Sequence, residues 1–270
     1  MDTFRASDGT QLAYHVDDFT DPWNKAPVLL LLHAAMGSAR RYYAWVPPLS
    51  RHYRVVRMDL RGHGNSQVPT ADRELTLDRL VKDVGELMDH IDCPSAHIIG
   101  NSAGGYLGQQ LAMNQGARVR SLMLFGSTPG LKNSQAPNWI PQIETKGLRA
   151  FLAETIADRL PLGQVDPGLV EWFLDEAAKN DTAYIGKFVL LMASYDWSDQ
   201  LGRITCPTLV VVPGAEPIGS TANYEPFRRY VKEVEFRVYE GAPHNICDAF
   251  PDRSASDVLE FLGRRFGLGV

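Results

Sequence analysis

The sequence predicts an α/β domain built on a mainly parallel sheet with helices packed on it, interrupted once by a helical insertion. Three observations predict it. Short aliphatic runs such as Val28-Leu29-Leu30-Leu31-Leu32 and Thr208-Leu209-Val210-Val211-Val212 recur without the polar alternation of a half-exposed strand. Between them lie stretches whose apolar residues return at helical spacing. From about Pro129 to Asp199 the alternation stops, and only helical patterns remain.

Taken in order, Thr3 to Val16 reads as two short strands around the turn Ser7-Asp8-Gly9-Thr10. The run Val28 to Leu32 follows the loop signals Asp21-Pro22 and Pro27 and reads as a strand buried on both faces. Val55-Val56-Arg57-Met58, His97-Ile98-Ile99 and Leu122-Met123-Leu124-Phe125 read alike. Leu80, Val81, Val84, Leu87, Met88 and Ile91 place a helix over Leu77 to Ile91. Strand–helix alternation of this kind implies right-handed crossovers. The insertion carries helical patterns near Ile143 to Leu160, Pro167 to Ala178 and Thr182 to Tyr195, with Asp166 as a cap and Pro167 in the first turn of the second. The expected division is a core of 1–128 and 200–270, with 129–199 as a helical cap, or lid, over the site.

Composition narrows the function classes. The 270 residues are 44% hydrophobic and 22% charged, which excludes a disordered or fibrous chain and supports one large core with a small insertion. Lys and Arg number 27 against 32 Asp and Glu, a net charge of −5, so a nucleic-acid or anionic-membrane partner is not expected. Cys93, Cys206 and Cys247 cannot all pair within the chain and lack metal-site spacing, which reads as reduced thiols in a cytoplasmic protein with no metal site. No signal peptide is read at Met1 to Arg5, and the longest apolar block is too short to cross a bilayer.

Gly100-Asn101-Ser102-Ala103-Gly104 lies directly after one strand pattern and before a helix pattern, Tyr106 to Met113. This is the context in which G-x-S-x-G acts as a nucleophile elbow: Ser102 sits in a strained turn, and the glycines let strand and helix pass closely. A serine hydroxyl needs a base. His244 stands in the loop after the strand pattern Val234 to Tyr239, downstream of Ser102 as this chain order requires. His63, in Arg61-Gly62-His63-Gly64, reads as turn support; His15, His52, His90 and His97 read as surface or strand positions. Glu216, in Pro213-Gly214-Ala215-Glu216-Pro217, follows the strand Thr208 to Val212 and is the acid expected to orient His244, with Asp199 and Asp196 in reserve and Asp248 too near His244 in sequence. The oxyanion donors are expected to be the N–H groups of Ala103 and of Ala35, with Ala34 as the alternative to Ala35.

With these residues in place, the chain resembles the α/β-hydrolase superfamily over nearly its whole length. The His33 loop, Asp59-Leu60-Arg61-Gly62-His63-Gly64-Asn65-Ser66, the Ser102 elbow and Gly241-Ala242-Pro243-His244 occur in the family's order. It is most similar to small bacterial esterase and lactonase-like members, including 3-oxoadipate enol-lactonases. The resemblance implies the α/β-hydrolase fold, with an eight-stranded sheet, a helical cap and no cofactor. Two departures stand out: His33-Ala34 replaces the usual His-Gly, and Glu216 stands one place earlier than the usual aspartate.

The expected function is serine-dependent hydrolysis of a small carboxylic ester or lactone. The alternatives are a carbon–carbon bond hydrolase of aromatic degradation, which the Gly100 to Gly105 run also resembles, a cofactor-free oxygenase, and a non-catalytic ligand receptor on the same scaffold. A homodimer is left open. Of Trp139, Phe151, Leu152, Trp172, Phe173, Tyr184, Phe188, Met192 and Trp197 in the insertion, one or two are expected to face the cavity. None of its basic residues (Lys146, Arg149, Arg159, Lys179, Lys187) is singled out by sequence as a carboxylate clamp.

Overall fold

The computed structural model describes residues 1–70, 72–132 and 134–267; residues 71, 133 and 268–270 of the expected core and insertion lie outside them. The aliphatic runs become strands because each can bury both of its faces. One sheet contains β1 (Asp2–Arg5), β2 (Gln11–Asp17), β3 (Val28–Leu32), β4 (Arg54–Met58), β5 (Ala96–Asn101), β6 (Val119–Phe125), β7 (Thr208–Pro213) and β8 (Val234–Tyr239), in the order β1-β2-β4-β3-β5-β6-β7-β8. β2 pairs antiparallel with β1 and with β4, and every other pairing is parallel.

The helices are α1 (Val46–Ser50), α2 (Leu77–His90), α3 (Ala103–Asn114), α4 (Ile140–Lys146), α5 (Leu148–Glu154), α6 (Pro167–Ala178), α7 (Thr182–Ala193), α8 (Glu225–Tyr230), α9 (Ile246–Ala249) and α10 (Pro251–Phe266). Successive strand residues point to opposite faces. Leu30, Leu32, Ile98, Leu122, Leu124 and Val210 therefore join one core, which takes in the buried faces of α2 and α3. Leu29, Leu31, Ile99, Met123, Leu209 and Val211 join another, with Val258, Phe261 and Leu262 of α10. Fully burying each such side chain is worth roughly 1.5–3 kcal/mol, so a polar residue in either register would be costly. Among the described residues no helix is long and apolar enough to cross a membrane.

Helices α4 to α7 all lie between β6 and β7, with no strand among them. α6 spans the expected residues, and the Asp166 side chain accepts from Gly168 N–H at 2.7 Å at its start. The single helix expected over Ile143 to Leu160 is instead α4, α5 and a short 3-10 turn, because Gly147 breaks it at φ 78°. α3 starts at Ala103, three residues before its apolar pattern, since Gly104 and Gly105 carry no periodic signal.

The loops at the carboxyl ends of β3 and β4 are fixed by buried polar groups. His33 Nε2 accepts from Leu60 N–H at 2.9 Å, which leaves Nδ1 to donate to Ala34 O at 2.7 Å. Asp59 accepts from Ala39 N–H (2.6 Å) and Asn65 N–H (2.9 Å). Arg61 ties this loop to Asp83 on α2 (2.7 Å) and to Asp8 in the β1–β2 turn (2.8 Å). His63 is buried beside His33, as turn support requires, with its Nδ1 at 3.0 Å from Arg61 O.

Burial keeps His33 and His97 neutral, with pKa lowered to about 4, and His63 likewise at about 3. A base whose folded pKa is depressed contributes stability that is fully present above its unfolded value, near 6.5, and is lost as pH falls toward the folded value. The urea midpoint is thus expected to drop between about pH 7 and about pH 5, above the ordinary carboxylate range. A midpoint unchanged across that window contradicts the assignment of these histidines as buried and neutral.

Candidate active site

Four loops meet at the carboxyl ends of β3, β5, β7 and β8, where ligands bind in open α/β sheets. The turn from β5 into α3 carries Ser102 at φ 49°, ψ −116°, a backbone conformation that non-glycine residues rarely adopt. Two glycines permit it. A Cβ on Gly100 would lie 2.3 Å from Gly105 Cα, and one on Gly104 would lie 2.1 Å from Leu32 O, so strand and helix touch through bare backbone. Phe125 O on β6 accepts from both Ser102 N–H and Asn101 Nδ2, each at 2.9 Å, and Ser127 Oγ donates to Ser102 O at 2.8 Å.

The loop after β8 brings His244 Nε2 to 3.0 Å from Ser102 Oγ. The insertion helps to hold that loop: His244 N–H donates to Asp158 O (3.1 Å) and Asn245 N–H to Arg159 O (2.9 Å). The loop after β7 sets both carboxylate oxygens of Glu216 at 2.9 Å from His244 Nδ1. Glu216 stands one place earlier than an aspartate would in the resemblance, and its extra methylene supplies reach. It also accepts from Ile218 N–H (2.9 Å), Gly219 N–H (3.2 Å) and the Tyr224 hydroxyl (3.1 Å). Burial raises the Glu216 pKa, but the adjacent His244 and the N–H donors of Ile218 and Gly219 outweigh it, and the carboxyl lies below its ordinary value. With the His244 proton on Nδ1, donated to Glu216, Nε2 can accept the Ser102 proton as the oxygen attacks an electrophile.

Ala35 and Ala103 both line the cavity beside Ser102 and His244, as does Ala34. Ala103 opens α3, so its N–H has no carbonyl one turn back to bond. The reserve acids lie elsewhere: Asp196 accepts from Ser198 N–H at 2.9 Å and Asp199 stands in the 3-10 segment Ser198–Arg203, while Asp248, set aside by its nearness to His244, is paired with Arg41. Of the nine large apolar residues in the insertion, Trp139, Leu152, Phe173 and Met192 line the cavity, more than the one or two expected. Three polar residues had no motif to reveal them. Tyr224 is buried against Glu216, and Arg41 and Arg159 line the cavity.

The alpha/beta hydrolase fold model matches residues 27–165, more than half of the chain. The chain belongs to the α/β-hydrolase family. This hydrolase-family chain is 26% identical to proline iminopeptidase PfmaB of Pestalotiopsis fici, over 91% of its length and 94% of the relative's. It is 26% identical to 3-oxoadipate enol-lactonase 2 of Acinetobacter baylyi, over 79% and 80%. The crystal structure of a hydrolase from Pseudomonas aeruginosa superposes with TM-score 0.86 at 29% identity, covering 97% of this chain and 98% of that one. The fold and these relatives make it an enzyme of the hydrolase class.

The geometry predicts which changes slow reaction of the serine with a fluorophosphonate, followed by intact-protein mass. Glu216→Gln should slow labelling roughly 10³–10⁴-fold, because the carboxylate in contact with His244 Nδ1 is gone. Tyr224→Phe removes one donor and keeps the pair, so it should cost less than about tenfold. Equal rates in wild type and Glu216→Gln contradict the role of Glu216.

Proposed function

We propose that the protein is a serine hydrolase that cleaves a small carboxylic ester or lactone through an acyl-enzyme. The observation that carries this reading is the unbroken contact chain from Ser102 Oγ through His244 to Glu216, whose first two members lie in the wall of a mostly apolar cavity. Ser102 Oγ attacks the carbonyl carbon while His244 Nε2 takes its proton. The oxyanion is received by the N–H groups of Ala103 and Ala35, aided by the amino end of α3. The intermediate collapses, and His244 returns the proton to the departing alkoxide. Water then attacks the acyl group with His244 again as base, releasing the carboxylic acid and restoring Ser102. Glu216 stays ionised throughout and holds the imidazole in the reactive tautomer.

The cavity wall of Leu131, Leu152, Phe173, Val189 and Met192 suits an apolar acyl or alcohol group. Similarity to a 3-oxoadipate enol-lactonase supports a lactone, and a small ester runs through the same steps. In this reading residues 129–199 act as a lid on a core of 1–128 and 200–270. The buried free thiols of Cys93, Cys206 and Cys247 fit a cytoplasmic enzyme.

Ser102→Ala is the test. Against a panel of short methyl esters and small lactones, wild type is expected to turn over at least one. Ser102→Ala should lose at least about 10³-fold in kcat while keeping its circular dichroism. Undiminished hydrolysis by a folded Ser102→Ala protein refutes the proposal.

A further inference from the structure

The cavity contains a charge that this reaction does not use. Arg159 follows the 3-10 turn Ile156–Asp158, is 6% exposed, and lines the cavity together with Ser102 and His244. Its Nη1 donates to the Thr155 carbonyl (3.0 Å) and hydroxyl (2.8 Å). Among the described residues, Nε and Nη2 have no hydrogen-bond partner, and no carboxylate is paired with the guanidinium. Trp139 and Phe151 present their rings 5.6 Å and 5.5 Å from it, which favours the cation but gives its free N–H groups no acceptor.

This sets Arg159 apart. Four arginines are buried among the described residues. Arg41 is paired with Asp248, Arg57 with Asp17, and Arg61 with Asp83 and Asp8. Arg41 also faces the cavity, but Asp248 takes both its Nε and Nη2. Burial lowers the Arg159 pKa to about 10, with exposed Asp158 raising it and Arg41 lowering it further, so the group is still charged at neutral pH. A buried cation is costly, and among the described residues no carboxylate bonds this one.

We propose that Arg159 is the carboxylate-recognition residue of the substrate site, and that the preferred substrate is an ester or lactone bearing a free carboxylate, such as the half-ester of a short dicarboxylic acid. The inference rests on the serine hydrolase reading for what happens at Ser102, but the anion site is separable from it. The free Nε and Nη2 edge of a guanidinium matches the two oxygens of a carboxylate. The Arg159 carbonyl, not its side chain, supports Asn245, so changing the side chain leaves the brace on the His244 loop in place.

The experiment compares kcat/KM for monomethyl succinate, glutarate and adipate with methyl butyrate, pentanoate and hexanoate, in wild type, Arg159→Met and Arg159→Lys. Wild type is expected to favour at least one charged ester over its neutral counterpart by about tenfold or more. Arg159→Met should remove that preference, mainly through KM, while neutral-ester turnover stays within about threefold; Arg159→Lys should retain part of it. The proposal is overturned if charged esters of every length are no better than neutral ones, or if Arg159→Met lowers both series equally. Should no ester be turned over at all, the hydrolase reading fails on its own. Calorimetric titration of Ser102→Ala with monomethyl glutarate and methyl pentanoate, with and without Arg159→Met, then decides the anion site. Binding of the monoanion that depends on Arg159 supports it, and equal or absent binding overturns it.

Discussion

Ser102 is held at φ 49°, ψ −116°, and much of the surrounding sequence serves to keep it there. A side chain in a sparsely populated backbone region costs of order 1–3 kcal/mol, so the turn persists only where neighbouring groups over-determine it. Here they do. Gly100 removes the side chain that would force β5 from α3, and Gly104 the one that would force α3 from the end of β3, while Phe125 O and Ser127 Oγ bond the turn to the next strand. The strain lifts Oγ off the sheet and sets it at the amino end of α3. Relaxing the turn would move the hydroxyl away from His244 Nε2.

The partners of Ser102 depend on elements far away in sequence. His244 and Glu216 belong to successive loops that are tied to each other, with Gly214 N–H on Tyr239 O (2.9 Å) and Ala215 N–H on Ala242 O (3.0 Å). The His244 loop is in turn bonded to the carbonyls of Asp158 and Arg159 in the insertion. The segment that walls the cavity therefore also positions the imidazole, so movement of the insertion and placement of the base are mechanically linked. That linkage lets one segment combine substrate recognition, through Arg159 and the aromatic residues beside it, with assembly of the reacting groups.

The central sheet was legible in the sequence because strands buried on both faces leave aliphatic runs, and Val28–Leu32 matches to the residue; the half-buried edge strand Val234–Tyr239 also matches, though it carries no such run. Ser102 and His244 were legible because strand, turn and helix leave a local signature around the first, and chain order with loop position selects the second. Glu216 could be found only from its place after β7, since its spacing departs from the family pattern. Other features left no local trace. Arg41 meets Asp248 across 207 residues, and the isolation of Arg159 is a property of what surrounds it in space. Tyr224 lies only eight residues from Glu216, but in a 3-10 turn too short to carry a periodic pattern. The break at Gly147 sits between two helical patterns in similar phase, which periodicity alone reads as one helix.

The proposed hydrolysis passes through a covalent intermediate at the strained serine. The most direct measurement is rapid acid quenching during turnover of a slowly deacylated ester, with intact mass and peptide mapping of the trapped protein. The expected result is a mass increase equal to the acyl group, confined to the peptide containing Ser102 and appearing before steady state. Turnover with no acyl group on Ser102, or with one on another residue, would contradict it.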